Sequence, residues 1–251
     1  MIKFLTITTE DNHKFCANMI KSLRDFSDCP VVIYCDKKTF DKTNSLIESC
    51  NVNVEHKDFD FGTSNYTHYG KKEFVDVTFK KYDVIVAELK SSSDDVVLID
   101  TDIAFKGNPM DVLVSTKNSD YDLVFQTDSP VGTPICTGFF YVRNSEKNIN
   151  FFEGCIKNVP VFRGNDESEW LERHEQLMMN SVLHSNYNQL NTNMKWTLFP
   201  VSFATNGHLY FSTNQRIGSE VVIHTNFCVG QGIKKERLES DNLWFMGDID
   251  E

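Results

Sequence analysis

The stretch Val96-Val97-Leu98-Ile99-Asp100-Thr101-Asp102 constrains the fold of this chain more than any other. Four residues that favour burial run straight into two carboxylates one residue apart. A short, largely β-branched run of this kind reads as a strand covered on both faces. Leaving such a strand through Asp-x-Asp carries two hard oxygen ligands to the carboxyl edge of a sheet, where open α/β sheets bind ligands. Carboxylates placed there can hold Mg2+ or Mn2+ against a diphosphate, because these ions take one or two carboxylates together with phosphate oxygens.

Spacing alone does not single the pair out. Asp-x-Asp also occurs at Asp58/Asp60, Asp120/Asp122 and Asp248/Asp250, and about two such pairs are expected by chance in a chain this rich in Asp. Position separates them. Asp120/Asp122 precedes an apolar run, Asp248/Asp250 lies in an acidic tail, and Asp58/Asp60 ends a weak strand. Only Asp100/Asp102 follows a strong one. The same residues also fit a solvated strand end with a turn at Gly107-Asn108-Pro109.

With 251 residues the chain suffices for one large α/β domain or two small ones. Its 20 Phe supply bulky core material. No 18-residue apolar stretch exists, so no membrane span is expected, and Met1–Ile7 is too short and too soon polar for a signal peptide. Lys+Arg 25 against Asp+Glu 36 gives a net charge of −11, with no basic block, which argues against nucleic acid and anionic membranes as partners. An acidic protein needs a cation between itself and a diphosphate. The seven cysteines are odd in number and lack C-x-x-C spacing, so free thiols in a reducing, cytoplasmic compartment are expected rather than a disulfide framework or zinc site.

Periodicity predicts strands at Lys3–Thr8, Val31–Cys35, Val52–His56 and Val96–Ile99, alternating with helices at Asn12–Phe26, Thr39–Ser49 and Phe74–Leu89. A long loop is expected at Phe61–Gly70. Strand–helix alternation argues for βαβ units and a largely parallel sheet. Beyond Asp102 a short helix is expected at Pro109–Ser115, strands at Leu123–Gln126 and Phe139–Arg143, and helices at Glu146–Lys157 and Glu169–Leu183 around a loop at Arg163–Glu167. Short strands are expected at Trp196–Phe199, Leu209–Phe211 and Val221–His224. Residues 1–251 read as one domain, with a nucleotide-binding half (1–102) and a donor-sugar and acceptor half (103–251).

Four separated segments together resemble the GT-A nucleotide-diphospho-sugar transferases, the family of plant-wall and viral-type glycosyltransferases with glycogenin-like enzymes as distant relatives. They are Thr6-Ile7-Thr8-Thr9-Glu10-Asp11-Asn12-His13, the Asp100-Thr101-Asp102 pair with Pro109 beyond it, Cys136-Thr137-Gly138-Phe139-Phe140-Tyr141-Val142-Arg143, and His224-Thr225-Asn226 with Gly230 and Lys234 downstream. The likeness is strongest over Val96–Arg143 and Glu172–Leu238. It implies an α/β, Rossmann-like fold with a mixed, mainly parallel central sheet flanked by helices.

The resemblance also implies roles. Ile7, Thr9 and His13 would surround a nucleotide base. Asp100, Asp102 and His224 would hold Mn2+ (or Mg2+), with Asp100 acting directly or through water and ribose, and Thr101 beside the nucleotide. Thr137 and the Gly138 backbone would face the donor sugar, while Cys136 stands where the family has Asn. Lys234 would reach the diphosphate. Glu175-Gln176 matches the family's Asp-Gln beside the anomeric carbon, Lys81 (with Lys80 nearly as well placed) its basic residue near donor or phosphate, and Asp128 a group for a sugar hydroxyl or the acceptor. The implied activity is metal-dependent transfer from a UDP-sugar to a glycan or other hydroxyl acceptor, mainly with retention of configuration, in a bacterial or viral-type cytoplasmic setting. Retention would proceed either with Gln176 steadying an oxocarbenium-like centre or by double displacement through Glu175, while an inverting route with Asp128 as base stays open. Two other readings remain: a non-catalytic sugar-nucleotide-binding module, and a haloacid-dehalogenase-like phosphohydrolase, whose motif sits nearer the chain start and has Thr or Val where this chain has Ala104.

Overall fold

A computed structural model describes residues 1–50, 52–62, 71–129, 134–164, 173–191, 193–213 and 216–247. Ten strands are described: β1 (Ile2–Ile7), β2 (Val31–Cys35), β3 (Val54–Asp58), β4 (Asp95–Ile99), β5 (Ile103–Phe105), β6 (Leu123–Thr127), β7 (Ile135–Val142), β8 (Trp196–Leu198), β9 (Ala204–Asn206) and β10 (Val222–His224). The helices are α1 (His13–Arg24), α2 (Lys37–Leu46), α3 (Lys72–Ser91), α4 (Met110–Lys117), α5 (Glu146–Arg163), α6 (Glu175–Ser185) and α7 (Gln231–Ser240).

Seven strands form one sheet in the order β3-β2-β1-β4-β7-β6-β8. All run the same way except β7, which is antiparallel to both β4 and β6. The expected mixed, mainly parallel sheet is therefore present. β4 sits at its centre, and all five of its residues are buried. Alternation along the strands feeds two cores. Leu5, Val96, Leu98 and Phe140 face Tyr82, Ile85 and Phe152 of α3 and α5, while Phe4, Val97, Ile99 and Phe139 face Ala17, Ile20 and Leu23 of α1.

A second sheet, β5-β10-β9, sets the position of the chain's C-terminal third. β5 follows β4 after only three residues and pairs antiparallel with β10, putting His224 opposite Ile103. Residues more than 120 positions apart thereby become neighbours. The sequence reading passed over β5 and β9, three residues each, in runs too short to carry a period.

Other expectations shift. Leu209–Phe211 is not a strand but part of a π-helical turn, His208–Ser212. A short apolar run carries no period that separates the two, and Asn206 decides it by accepting the Leu209 amide at 3.0 Å. The third strand starts two residues late because Asn53 adopts a left-handed turn (φ 55). The helix beginning at Glu146 runs through Pro160 to Arg163. The helix expected from Glu169 begins, among the described residues, at Glu175. Most of the loop expected at Phe61–Gly70, most of that at Arg163–Glu167, and the Asp248/Asp250 pair lie outside the described residues.

Candidate active site

The carboxyl ends of β1, β4, β6 and β10 open into a cavity of about 820 Å³. Parallel strands deliver their exit residues to one edge, which is where α/β sheets bind ligands. Of the residues singled out from the sequence, Ile7, Thr9, Lys81, Asp100, Thr101, Asp102, Asp128, Thr137, Glu175, Gln176, His224 and Lys234 all line it. Lys80 instead pairs with Asp83 on an exposed helix face. His13 does not line the cavity. Its Nδ1 lies 2.6 Å from the Glu10 carbonyl, and Asn12 and Phe15 line the wall in its place.

Three ligand-type side chains converge. Asp100, Asp102 and His224 each present an atom within 4.8 Å of the others. Nε2 of His224 is 3.2 Å from Asp102 Oδ1 and 3.9 Å from Asp100 Oδ2. The β5–β10 pairing brings them together, and Thr225 locks the join by donating its amide (3.0 Å) and hydroxyl (2.9 Å) to the Asp102 carbonyl. Gly138 does not line the cavity either. A side chain there would overlap the His224 ring and lie 2.8 Å from Asp100 Oδ2, so the missing Cβ makes the slot the imidazole occupies. The rival pairs are committed elsewhere: Asp120 to Lys195 (2.7 Å) and Asp122 to Lys147 (2.6 Å).

Charge in the cavity is arranged in layers. Burial works against the Asp102 carboxylate, yet Lys234 (2.6 Å from Oδ2) and His224 hold its pKa well below the usual range. Burial likewise opposes the imidazolium, but Asp102 and then Cys136 raise His224 well above its ordinary value. Behind this pair, Lys81 is buried with Nζ 2.8 Å from Asp100 Oδ1 and 3.2 Å from Glu175 Oε1. Both carboxylates outweigh burial and raise its pKa. Glu175 in turn accepts the Thr137 hydroxyl at 2.6 Å, and Lys81 and His174 hold it strongly acidic against burial. Gln176 accepts the Thr137 amide at 3.2 Å. Asp128 is the exception: burial raises its pKa, against hydrogen bonds from Gln176 and Asn226.

Sequence reading missed several residues that this geometry uses. His174 lines the cavity beside Glu175, which it immediately precedes. Asn226 spans Asp128 and Gly207, accepting the Gly207 amide at 2.7 Å. It belongs to the His224-Thr225-Asn226 segment singled out above, but sequence reading assigned it no task. Phe227, 58% exposed with φ 63, stands at the cavity mouth. Gln126, fully buried, faces His224 from β6.

A family model described as nucleotide-diphospho-sugar transferase matches residues 10–238. A Dictyostelium discoideum protein, UDP-galactose:fucoside alpha-3-galactosyltransferase, is 26% identical over 204 residues, covering 74% of this chain and 30% of its own length. An Arabidopsis thaliana protein, UDP-D-xylose:L-fucose alpha-1,3-D-xylosyltransferase 3, is 26% identical over 145 residues, covering 55% of this chain and 36% of its own. The chain thus spans about a third of each of these relatives. The glycosyltransferase GlyE of Streptococcus pneumoniae TIGR4 superposes with a TM-score of 0.60 at 12% identity, over 99% of this chain and 60% of that one. At that identity the likeness is one of fold.

Proposed function

Because the chain belongs to the nucleotide-diphospho-sugar transferase family, we propose that its cavity transfers a sugar from a UDP-sugar to a hydroxyl of a glycan acceptor, with Mn2+ as the bound ion. The observation that carries this reading is the convergence of Asp100, Asp102 and His224 within 4.8 Å, at the carboxyl edge of the sheet and next to Lys234. The donor set fits such an ion: Mn2+ takes hard carboxylates, and one imidazole beside them favours it over Mg2+. When bound, the ion would supply Lewis-acid stabilisation of the departing diphosphate, typically several kcal/mol of the barrier. UDP is favoured because the names of both curated relatives specify UDP-sugars.

The chain's own groups divide the remaining work. Asp102 and His224 hold the ion, and Asp100 does so directly or through water and ribose. Lys234, half-buried at the cavity wall, neutralises diphosphate charge. Ile7 and Thr9 contact the base, in a half formed by residues 1–102, and Thr101 the nucleotide beyond it. Retention of configuration is favoured, since both relatives carry an α-linkage in their names. Gln176 then steadies the oxocarbenium-like centre. Glu175 is a poor nucleophile here: its Oε1 is already shared by Thr137 and Lys81, and only 3% of the residue is exposed. Its task is to hold Thr137 and Lys81 in place. Asp128, with its raised pKa, is suited to a sugar hydroxyl. The acceptor is read as a deoxysugar glycoside, because both relatives' names specify a fucose acceptor, and Phe227 offers apolar surface at the mouth. Seven free thiols support a cytoplasmic setting.

Donor hydrolysis across a panel of nucleotide sugars, with and without Mn2+, tests this directly. Release of UDP from at least one UDP-sugar, dependent on Mn2+ and lowered at least tenfold in Gln176→Ala with UDP binding retained, is expected. UDP-sugar binding with neither hydrolysis nor transfer would leave only a sugar-nucleotide-binding module. Equal loss of binding and turnover in Gln176→Ala would remove that residue from the anomeric centre.

A further inference from the structure

We propose that Gln126 is the positioning residue that turns Nε2 of His224 toward the two aspartates, by accepting a hydrogen bond from Nδ1–H. The inference rests on the metal reading of the preceding section, and it assigns a task to a side chain that touches neither donor nor ion. Gln126 Oε1 lies 2.9 Å from His224 Nδ1, and Gln126 is fully buried. An imidazole that gives Nε2 to a cation carries its single proton on Nδ1, so the group facing Nδ1 must accept. A glutamine oxygen meets that requirement. An amide nitrogen turned the same way would demand the opposite tautomer and put a proton where the ion belongs.

Two local features show that the contact is built. The ladder between β6 and β7 breaks its register between Phe125 and Gln126, so that Gln126 pairs with Cys136 while Phe125 pairs with Phe140. Irregularities of this sort re-aim side chains beside active sites. The extra residues in β7 include Gly138, whose missing side chain leaves the slot for the His224 ring. The imidazole is thus gripped on three sides: Gly138 against its Cε1 edge, Gln126 at Nδ1 and Asp102 at Nε2. The second feature is a cost. Among the described residues, Nε2 of Gln126 is buried with no hydrogen-bond partner, a cost that calls for a role beyond packing. Cys136 Sγ also approaches Nδ1, at 3.6 Å, but a thiol is a weak acceptor.

Binding of Mn2+ to the full chain, read by electron paramagnetic resonance in the presence of UDP, is the first measurement. Gln126→Met should weaken Mn2+ binding about 10- to 100-fold, the usual loss when such a support is removed. Gln126→Glu, which keeps an acceptor at the same reach, should stay within about threefold of the unsubstituted protein. Cys136→Ala should change affinity less than Gln126→Met. The second measurement needs no metal: in 15N-histidine spectra the His224 Nδ1 proton should exchange slowly in the unsubstituted protein and in Gln126→Glu, and be lost to exchange in Gln126→Met. Wild-type Mn2+ affinity in a folded Gln126→Met variant, or an Nδ1 proton equally protected in all three proteins, overturns the proposal. Should the unsubstituted protein fail to bind Mn2+ while Nδ1 protection follows the pattern above, the metal reading falls and the orientation of His224 by Gln126 stands.

Discussion

A methyl group on Gly138 would strike the His224 ring and come within 2.8 Å of Asp100 Oδ2. Two ligand-type side chains share the space of one missing Cβ. Gly138→Ala should therefore cost about 1–3 kcal/mol of stability, as overpacking does, and remove Mn2+-dependent UDP binding more than tenfold by calorimetry. Unchanged affinity would mean that His224 does not sit in that slot. Lys81 allows a different test. Its removal in Lys81→Met leaves the Glu175 carboxylate buried without its cation, a change worth about 3–5 kcal/mol, read as a lower Tm. The pH dependence follows from Glu175. Its folded pKa is depressed, so the stability it contributes is present above its unfolded value of about 4.3. That stability is lost as pH falls through the folded value. Glu175→Gln should accordingly show a shallower loss of stability below about pH 4 in acid-titrated thermal melts. An identical slope would place the Glu175 charge in solvent.

At the scale of elements, what was legible depended on length and period. β1, β2, β4 and the helices that follow were readable because five or more residues carried a clear pattern, and the parallel arrangement followed from their alternation. β5 and β9, three residues each, were not, whereas the equally short β8 and β10 lay within the expected runs Trp196–Phe199 and Val221–His224. Yet β5–β10 pairing is what brings His224 to Asp102. The aspartate pair could be chosen by its strand alone; the histidine could be paired with it only through a family resemblance. Gln126 was illegible because its task depends on a break in the β6–β7 ladder, and such a break leaves no mark in periodicity. The Leu209–Phe211 run failed for the same reason, its fate being set by Asn206 nearby. Asn206 accepts the Leu209 amide and donates to the Asp128 carbonyl at 3.1 Å, tying the π-helical turn to the end of β6. Asn206→Leu should strand these buried groups, costing about 1–3 kcal/mol each. Chemical denaturation should report the loss, and UDP-sugar hydrolysis should fall with it. Full activity at reduced stability would separate that tie from the site.

Across the whole molecule, the acidic balance sets the logic of the cavity. On the proposed reading, a chain with net charge −11 would bring a dianionic nucleotide-sugar to an edge already carrying Asp100, Asp102, Asp128 and Glu175. Lys81 is consumed by two of these carboxylates and Lys234 already faces a third. On that reading, a divalent ion held by Asp102 and His224 would balance the charge. UDP and Mn2+ should then stabilise the fold together more than the sum of each alone, because each completes the other's site. Ligand at a hundred times its Kd adds about 2.7 kcal/mol, readable as a rise in Tm. The most direct test is anomalous diffraction from crystals grown with Mn2+ and UDP. A single manganese peak bonded to Asp102 and His224 Nε2 and touching the diphosphate is the expected result. UDP bound in the cavity with no manganese between these side chains and the phosphates would contradict it.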